Sequence, residues 1–157
     1  MNNNSSLSHR GQEPEKGILY LVGTPIGNLS DISLRALNIL KNVSLVACED
    51  TRQTKKIMTK YGISNTLMSF NQTNAMKKIP QVIKLLKDSN AVALVSDAGM
   101  PSICDPGEDL AKEAKLNSIE IICVPGASAL LTALVSSGYP SSKFIFEGFL
   151  PKKAVSR

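Results

Sequence analysis

Three apolar runs in this sequence end abruptly in groups able to bind a ligand or move a proton. SLVAC gives way to Glu49, Asp50 and Arg52, AVALV to Ser96 and Asp97, and GILYLVG to TPIGN. A carboxylate at such a junction can take a proton or a hydrogen bond from a substrate hydroxyl. Asp97 is the best placed: it opens DAGMPSICDPG, a loop with two Gly, two Pro and two Asp, whose composition fixes a tight backbone path and exposes amides and carboxylates. The same position also suits an Asp that only stabilises the turn. Capping of the next helix accounts for Asp50 and, further on, for Asp105. It does not account for Glu49 or Arg52, which could steer a charged ligand or pair with each other.

Other chemistries are excluded by what is missing. The single histidine, His9, lies in a polar N-terminal stretch, so Ser-His and Cys-His nucleophiles and most zinc or iron sites have no partner, and no metal site is expected. Acid or base work must fall to Asp, Glu, Lys or Tyr. Cys48, Cys104 and Cys123 are odd in number and form no CxxC pair, which suggests neither a disulfide framework nor zinc and fits a cytoplasmic protein. Cys48 and Cys123 sit in apolar strand-like runs and are expected to be buried, and Cys104 to be passive. The first loop, Gly23 to Asn28, is neither GxGxxG nor a phosphate loop ending in Gly-Lys-Ser/Thr, so nucleotide phosphate binding is disfavoured.

The 157 residues are 43% hydrophobic and 20% charged, as in a soluble domain with a sizeable core. The longest weakly polar run, Ala127 to Ser137, falls short of the roughly 20 apolar residues that cross a bilayer. A net charge of +5 is compatible with a nucleic-acid partner. Lys55, Lys56, Lys60, Lys77, Lys78, Lys84 and Lys87 recur at helical spacing, however, and for most of them a solvated helix face is the better explanation. With 4% aromatic residues there is no base-stacking platform.

The elements that must position these groups follow from periodicity. Residues 1–16 read as a polar tail too poor in apolar residues to fold. Gly17 to Gly23 reads as a buried strand, followed by a helix capped by Ser30 or Asp31 and running through Lys41. A second strand covers Ser44 to Asp50, then a basic helix closed by Gly62. TLMSF is a shorter strand, and IPQVIKLLKD a helix in which Pro80 is tolerable only in the first turn or at a kink. AVALVSD is the fourth strand, with Asp105 capping the next helix ahead of Pro106. IEIICVPG, an apolar helix ending at Gly138, and a last strand in FIFEGFLPKK complete the pattern. Strand and helix alternate throughout, which is the pattern of an α/β fold: a mostly parallel sheet with helices on both faces. Ligands bind such sheets at the carboxyl ends of the strands, where TPIGN, EDTR, DAGMPSICDPG and PGAS would face one crevice.

The motifs GTPIGNL, ACEDTR, VSDAG, DPG and FEGFLP, weak singly, together make residues 17–153 similar to the bacterial small-subunit ribosomal RNA methyltransferase I family, within the tetrapyrrole methylase superfamily. The resemblance implies an S-adenosyl-L-methionine-dependent methyltransferase acting on the ribose 2′-hydroxyl of a cytidine in small-subunit ribosomal RNA. On that reading Asp97 orients or deprotonates the hydroxyl. Thr24, Pro25 and Gly27, with Ser96, Ala98, Gly99 and Pro101, line the cofactor pocket, and Pro125, Gly126 and Ser128 close its side. Glu49, Asp50 and Arg52 carry over as pocket residues without an assigned role. The implied partner is small-subunit ribosomal RNA or the assembled subunit, and a homodimer is left open.

The sequence departs from the family pattern at Gln53, where a His is usual, across FNQTNA (70–75), where a His and a Glu are usual, at Met100 for Thr and at Ala127 for Pro. Family members also continue into a second α/β domain, with the cofactor in the cleft between the two. Residues 17–150 are therefore expected to form the N-terminal methylase domain and 151–157 the start of a linker, in a truncated or split member with weak or absent turnover alone. Two rival readings stand beside this one: a tetrapyrrole-precursor methylase, and a non-catalytic RNA-binding or dimerising module.

Overall fold

The computed structural model describes residues 13–149. Within them the elements alternate as the periodicity requires: β1 (Leu19–Val22), α1 (Leu34–Asn42), β2 (Leu45–Cys48), α2 (Thr51–Lys60), β3 (Leu67–Ser69), α3 (Ala75–Lys87), β4 (Val92–Val95), α4 (Gly107–Leu116), β5 (Ile121–Val124) and α5 (Ala129–Ser136). The strands form one parallel sheet in the order β3-β2-β4-β1-β5. The fold is α/β, as expected.

Both faces are apolar because the central strands are apolar at every position, and alternate side chains serve opposite cores. On one face Leu19, Ala47 and Leu94 pack under α3 and α4 through Val82, Leu86, Leu110 and Ala114. On the other Tyr20, Val46 and Val95 meet α1 at Ala36, Ile39 and Leu40. The adjacent strands β4 and β1 thus send their following helices to opposite faces. That divergence makes their carboxyl ends a topological switch point, the usual binding position in open α/β sheets.

Local details sharpen or correct the sequence reading. Helix α1 is capped not by Ser30 or Asp31 but by Ser33, whose Oγ accepts the Ala36 N–H at 3.0 Å. The two earlier residues are committed to a turn on Asn28, which accepts the Ser30 N–H on its side chain and the Asp31 N–H on its carbonyl. Gly62 does close α2: at φ +62° it donates to the Thr59 carbonyl, while Ile63 donates to that of Met58, the double bond of a Schellman end. Helix α3 starts well before Ile79, so Pro80 lies inside it rather than in the first turn. The bond lost is one to Met76, and both residues are solvent-exposed, so water can serve that carbonyl.

Three further expectations change. The stretch 13–16 was assigned to the unpacked tail, but Glu13 is 8% exposed and makes a bidentate pair with Arg35 at 2.6 and 2.7 Å. Its carbonyl accepts from Asn38, and the Glu15 N–H reaches the buried Tyr20 hydroxyl. Residues 1–12 and 150–157, with the linker assignment and most of the tail, lie outside the described residues. Residues 144–149 form no strand: β-propensity becomes a strand only through ladder hydrogen bonds, and among the described residues β5 pairs with β1 alone, so this segment leaves the outer edge of β5 unpaired. Cys48 is buried as expected, but Cys123 is exposed, since β5 is the margin of the sheet and its outer surface is only partly covered.

Candidate active site at the carboxyl ends of the strands

Loop convergence is built from backbone before any side chain is involved. Thr24, just after β1, exchanges both main-chain hydrogen bonds with Gly99, at 2.9 and 3.1 Å, in a short antiparallel bridge. The buried Thr24 hydroxyl donates to the Ser96 and Gly99 carbonyls. Gly23 donates to Val124 at the end of β5, and a Cβ on Gly126 would stand 2.8 Å from the Gly23 backbone. Real Cβ atoms do not approach so closely, so glycine is what lets the loops after β1 and β5 touch. Gly99, at φ +84°, lies between Ile26 and Ala127. The loops after β1, β4 and β5 therefore form one interlocked floor.

The fourth loop joins through a carboxylate. Asp97 is exposed, and its Oδ1 accepts the Asp50 N–H at 2.9 Å, tying the end of β4 to the start of α2. Asp50 caps α2 through Oδ1 and holds the Arg52 side chain at 2.6 to 3.1 Å. The Arg52 guanidinium and then its backbone N–H hold the Asp50 carboxyl down at about 2. Arg52 thus pairs with Asp50, not with Glu49. Glu49 is pushed up from its ordinary value by burial and then by the negative charges of Asp97 and Asp105. The result is an exposed carboxylate fixed at one oxygen, beside a second acid biased toward its proton-bearing form.

The remainder of the β4 loop is strained and braced. Ser102 and Cys104 have φ of +69° and +58°, a conformation that costs a non-glycine residue roughly 1–3 kcal/mol. Asp105 opposes that cost: its carboxylate accepts from the Ser102 N–H at 2.9 Å and the Gly107 N–H at 2.7 Å. Asp105 is thus a loop brace rather than the helix cap the sequence suggested: α4 begins at Gly107 with Pro106 at its N-cap and no side-chain cap hydrogen bond. The Ser102 Oγ is buried with no hydrogen-bond partner. Sequence reasoning missed Ser102, because its environment depends on a left-handed backbone that a Ser does not announce. It also missed Met100, whose sulfur would stand 2.6 Å from a Cβ on Gly23 and so closes that side of the floor.

The residues singled out from sequence fall into two groups. Thr24, Pro25, Ser96, Gly99 and Pro101 are buried and build the floor, whereas Gly27, Asp97, Ala98, Pro125 and Gly126 are exposed on it. Ser128 caps α5 by accepting the Leu131 N–H.

A model of the tetrapyrrole (corrin/porphyrin) methylases matches residues 18–152. The chain belongs to the tetrapyrrole methylase family. Among its relatives, Ribosomal RNA small subunit methyltransferase I of Thermotoga maritima is 54% identical over 136 residues, which are 87% of this chain and 61% of the relative. The protein of that name from Halalkalibacterium halodurans is 46% identical over 146 residues, 93% of this chain and 50% of the relative. The chain thus spans half to three-fifths of the length of these relatives. Among solved structures, uroporphyrin-III-C-methyltransferase from Thermus thermophilus superposes with a TM-score of 0.58 at 23% identity, covering 79% of this chain and 53% of that one. Cobalt precorrin-4 methyltransferase gives 0.58 at 16%, covering 77% and 50%. These two likenesses concern the fold.

Proposed function

We propose that the chain is the N-terminal, substrate-facing domain of a methyltransferase that uses S-adenosyl-L-methionine to methylate a ribose 2′-hydroxyl of a cytidine in small-subunit ribosomal RNA. The observation that carries this reading is Asp97: an exposed carboxylate, held at one oxygen by the Asp50 N–H, on a floor of small residues where the loops after β1, β4 and β5 meet.

S-adenosyl-L-methionine supplies a methyl group on a sulfonium sulfur, so transfer to oxygen is an in-line displacement that needs alignment and loss of the hydroxyl proton. The floor suits such a ligand. Gly27, Ala98 and Gly126 present exposed backbone with no bulky side chains, and a Cβ on Gly27 would meet open space. The buried, unpartnered Ser102 hydroxyl leaves one polar group unspent in the same loop. Asp97 orients the ribose hydroxyl and accepts its proton on Oδ2, the oxygen not engaged by Asp50. Glu49 and Asp50 hold the geometry from behind, and Arg52 neutralises Asp50. The reaction runs in the cytoplasm.

Relatives of about twice the length, and apolar residues left uncovered beside β5, support a second α/β domain that closes the other wall of the crevice. The test is methyl incorporation from S-adenosyl-L-methionine into small-subunit ribosomal RNA, by the chain alone and by a form extended with a second domain of the family. Weak or no incorporation by the chain alone and robust incorporation by the extended form is expected. Equal activity of the two would overturn the two-domain requirement. Methylation of a porphyrin-type substrate, with none of RNA, would move the assignment to a tetrapyrrole-precursor methylase.

A further inference from the structure

Helix α2 lies along the rim of the crevice and is anchored there at both ends. Its first turn is tied to the β4 loop through Asp50 and Asp97. At its other end the Lys60 Nζ donates to Ser30 at 3.1 Å and the Tyr61 hydroxyl to the Leu29 carbonyl at 2.7 Å, both beyond β1. Thr54, Ile57 and Met58 form its buried side. Arg52, Lys55, Lys56, Thr59 and Lys60 line a shallow groove on its outer side. The helix contains no acidic residue, and the neighbouring Asp50 is already spent on Arg52.

We infer that this outer face of α2 is a track for the phosphate backbone of RNA, carried chiefly by Lys55, Lys56 and Lys60, which leads the strand to the hydroxyl acceptor site at Asp97. The inference deepens the proposed function and rests on that reading for the identity of the strand. At 1.5 Å rise per residue, Lys55 to Lys60 spans about 8 Å along the helix, enough to follow a strand rather than to grip one anion. Three features favour nucleic acid over a membrane. The face is purely cationic, it borders the crevice, and its exposed side carries no large apolar residue, whereas a helix resting in a bilayer surface needs one apolar side free to insert. Recognition there is of backbone charge, not of bases, in keeping with the scarcity of aromatic side chains.

The lysines of α3 make the contrast. Lys84 and Lys87 share their groove with Asp88, Asp109 and Glu113, and Lys87 donates to Asn117 at 2.7 Å. That surface is mixed in sign and offers no continuous track.

The test is equilibrium binding of the full chain to a single-stranded fragment of small-subunit ribosomal RNA across a salt series, read by fluorescence anisotropy. Each neutralised phosphate adds about 0.7 to the slope of log affinity against log salt for single strands. The variant K55Q/K56Q/K60Q should therefore lose about 2 from the slope and bind roughly 10–100-fold more weakly near physiological salt. K55R/K56R/K60R, which keeps the charge, should retain both, and K84Q/K87Q should match the parent. A triple glutamine variant with the parental slope would overturn the track. So would a variant that loses binding to phosphatidylserine vesicles while keeping its RNA affinity, which would make the face a membrane contact. Methyl incorporation is scored separately. No methylation by the parental two-domain form, with the salt slopes as expected, would count against the enzymatic reading and leave the track standing; methylation by that form with the slope unchanged in the triple glutamine variant would do the reverse.

Discussion

The two margins of the sheet are finished differently. At the β3 margin the chain closes on itself: Met68 and Phe70 are buried, the Phe70 N–H donates to Cys48 at 2.7 Å, and α3 follows at once with Ala75, Ile79, Val82 and Ile83 inside the core. At the β5 margin Cys123 is exposed and α5 has no buried residue. Val135, Ile145 and Phe149 are 71%, 82% and 86% exposed. Several large apolar side chains left exposed on one segment are more than the scattered single ones an ordinary surface carries. The difference teaches where the fold is self-sufficient. The β3 side and the loop floor stand on internal contacts, whereas the β5 side offers surface to something else, and the crevice lies where the two regimes meet.

The comparison can be broken most severely at the floor. Replacing Gly126 by Ala forces a Cβ to 2.8 Å from the Gly23 backbone. Overpacking against backbone costs about 1–3 kcal/mol, so thermal unfolding of G126A should move down by several degrees and S-adenosyl-L-methionine affinity should fall. An unchanged melting temperature would mean that the loops are free to part. Next in size is Asp105→Ala, which frees the Ser102 and Gly107 N–H groups. A hydrogen bond contributes roughly 0.5–1.5 kcal/mol net, readable as a lowered denaturant midpoint at constant slope.

Glu49→Gln tests the electrostatics of the same floor. Glu49 binds its proton more tightly folded than unfolded, so the native state holds more protons, and stability present below about pH 4.5 declines as pH rises through the folded pKa. The variant should flatten that decline and be no less stable than the parent at neutral pH. A steeper decline would reverse the assigned sign. At the open margin, Val135→Ser should change stability of the chain by less than about 0.5 kcal/mol, as at ordinary surface positions. A larger loss would show that α5 is packed after all.

Most of the fold was legible because β1, β2 and β4 carry apolar runs that end in polar groups, and because Asp50 and Gly62 announce helix ends through their own chemistry. What was not legible depended on contacts far apart in sequence. Nothing in NLSDIS indicates that Asn28 takes Ser30 and Asp31 into a turn and leaves the cap to Ser33. Nothing in FIFEGF indicates that its alternation stays unpaired beside the open edge of β5. In the site, Asp97 was found from its place at a strand end. Its tether to Asp50, the Asp50–Arg52 pairing and the bracing of Ser102 required the structure, because each joins a side chain to a backbone whose path the sequence leaves open. The lysines of α2 and α3 looked alike along the chain and differ only in what surrounds them.

The account turns on Asp97, and methyl incorporation into small-subunit ribosomal RNA by the two-domain form carrying Asp97→Asn tests it most directly, with S-adenosyl-L-methionine affinity measured alongside. Loss of a general base lowers turnover about 10²–10⁴-fold, so the variant should lose that much rate while binding the methyl donor as the parent does. Parental turnover in the variant would contradict the assignment and leave Asp97 as the tie between β4 and α2 that its hydrogen bond to Asp50 already makes it.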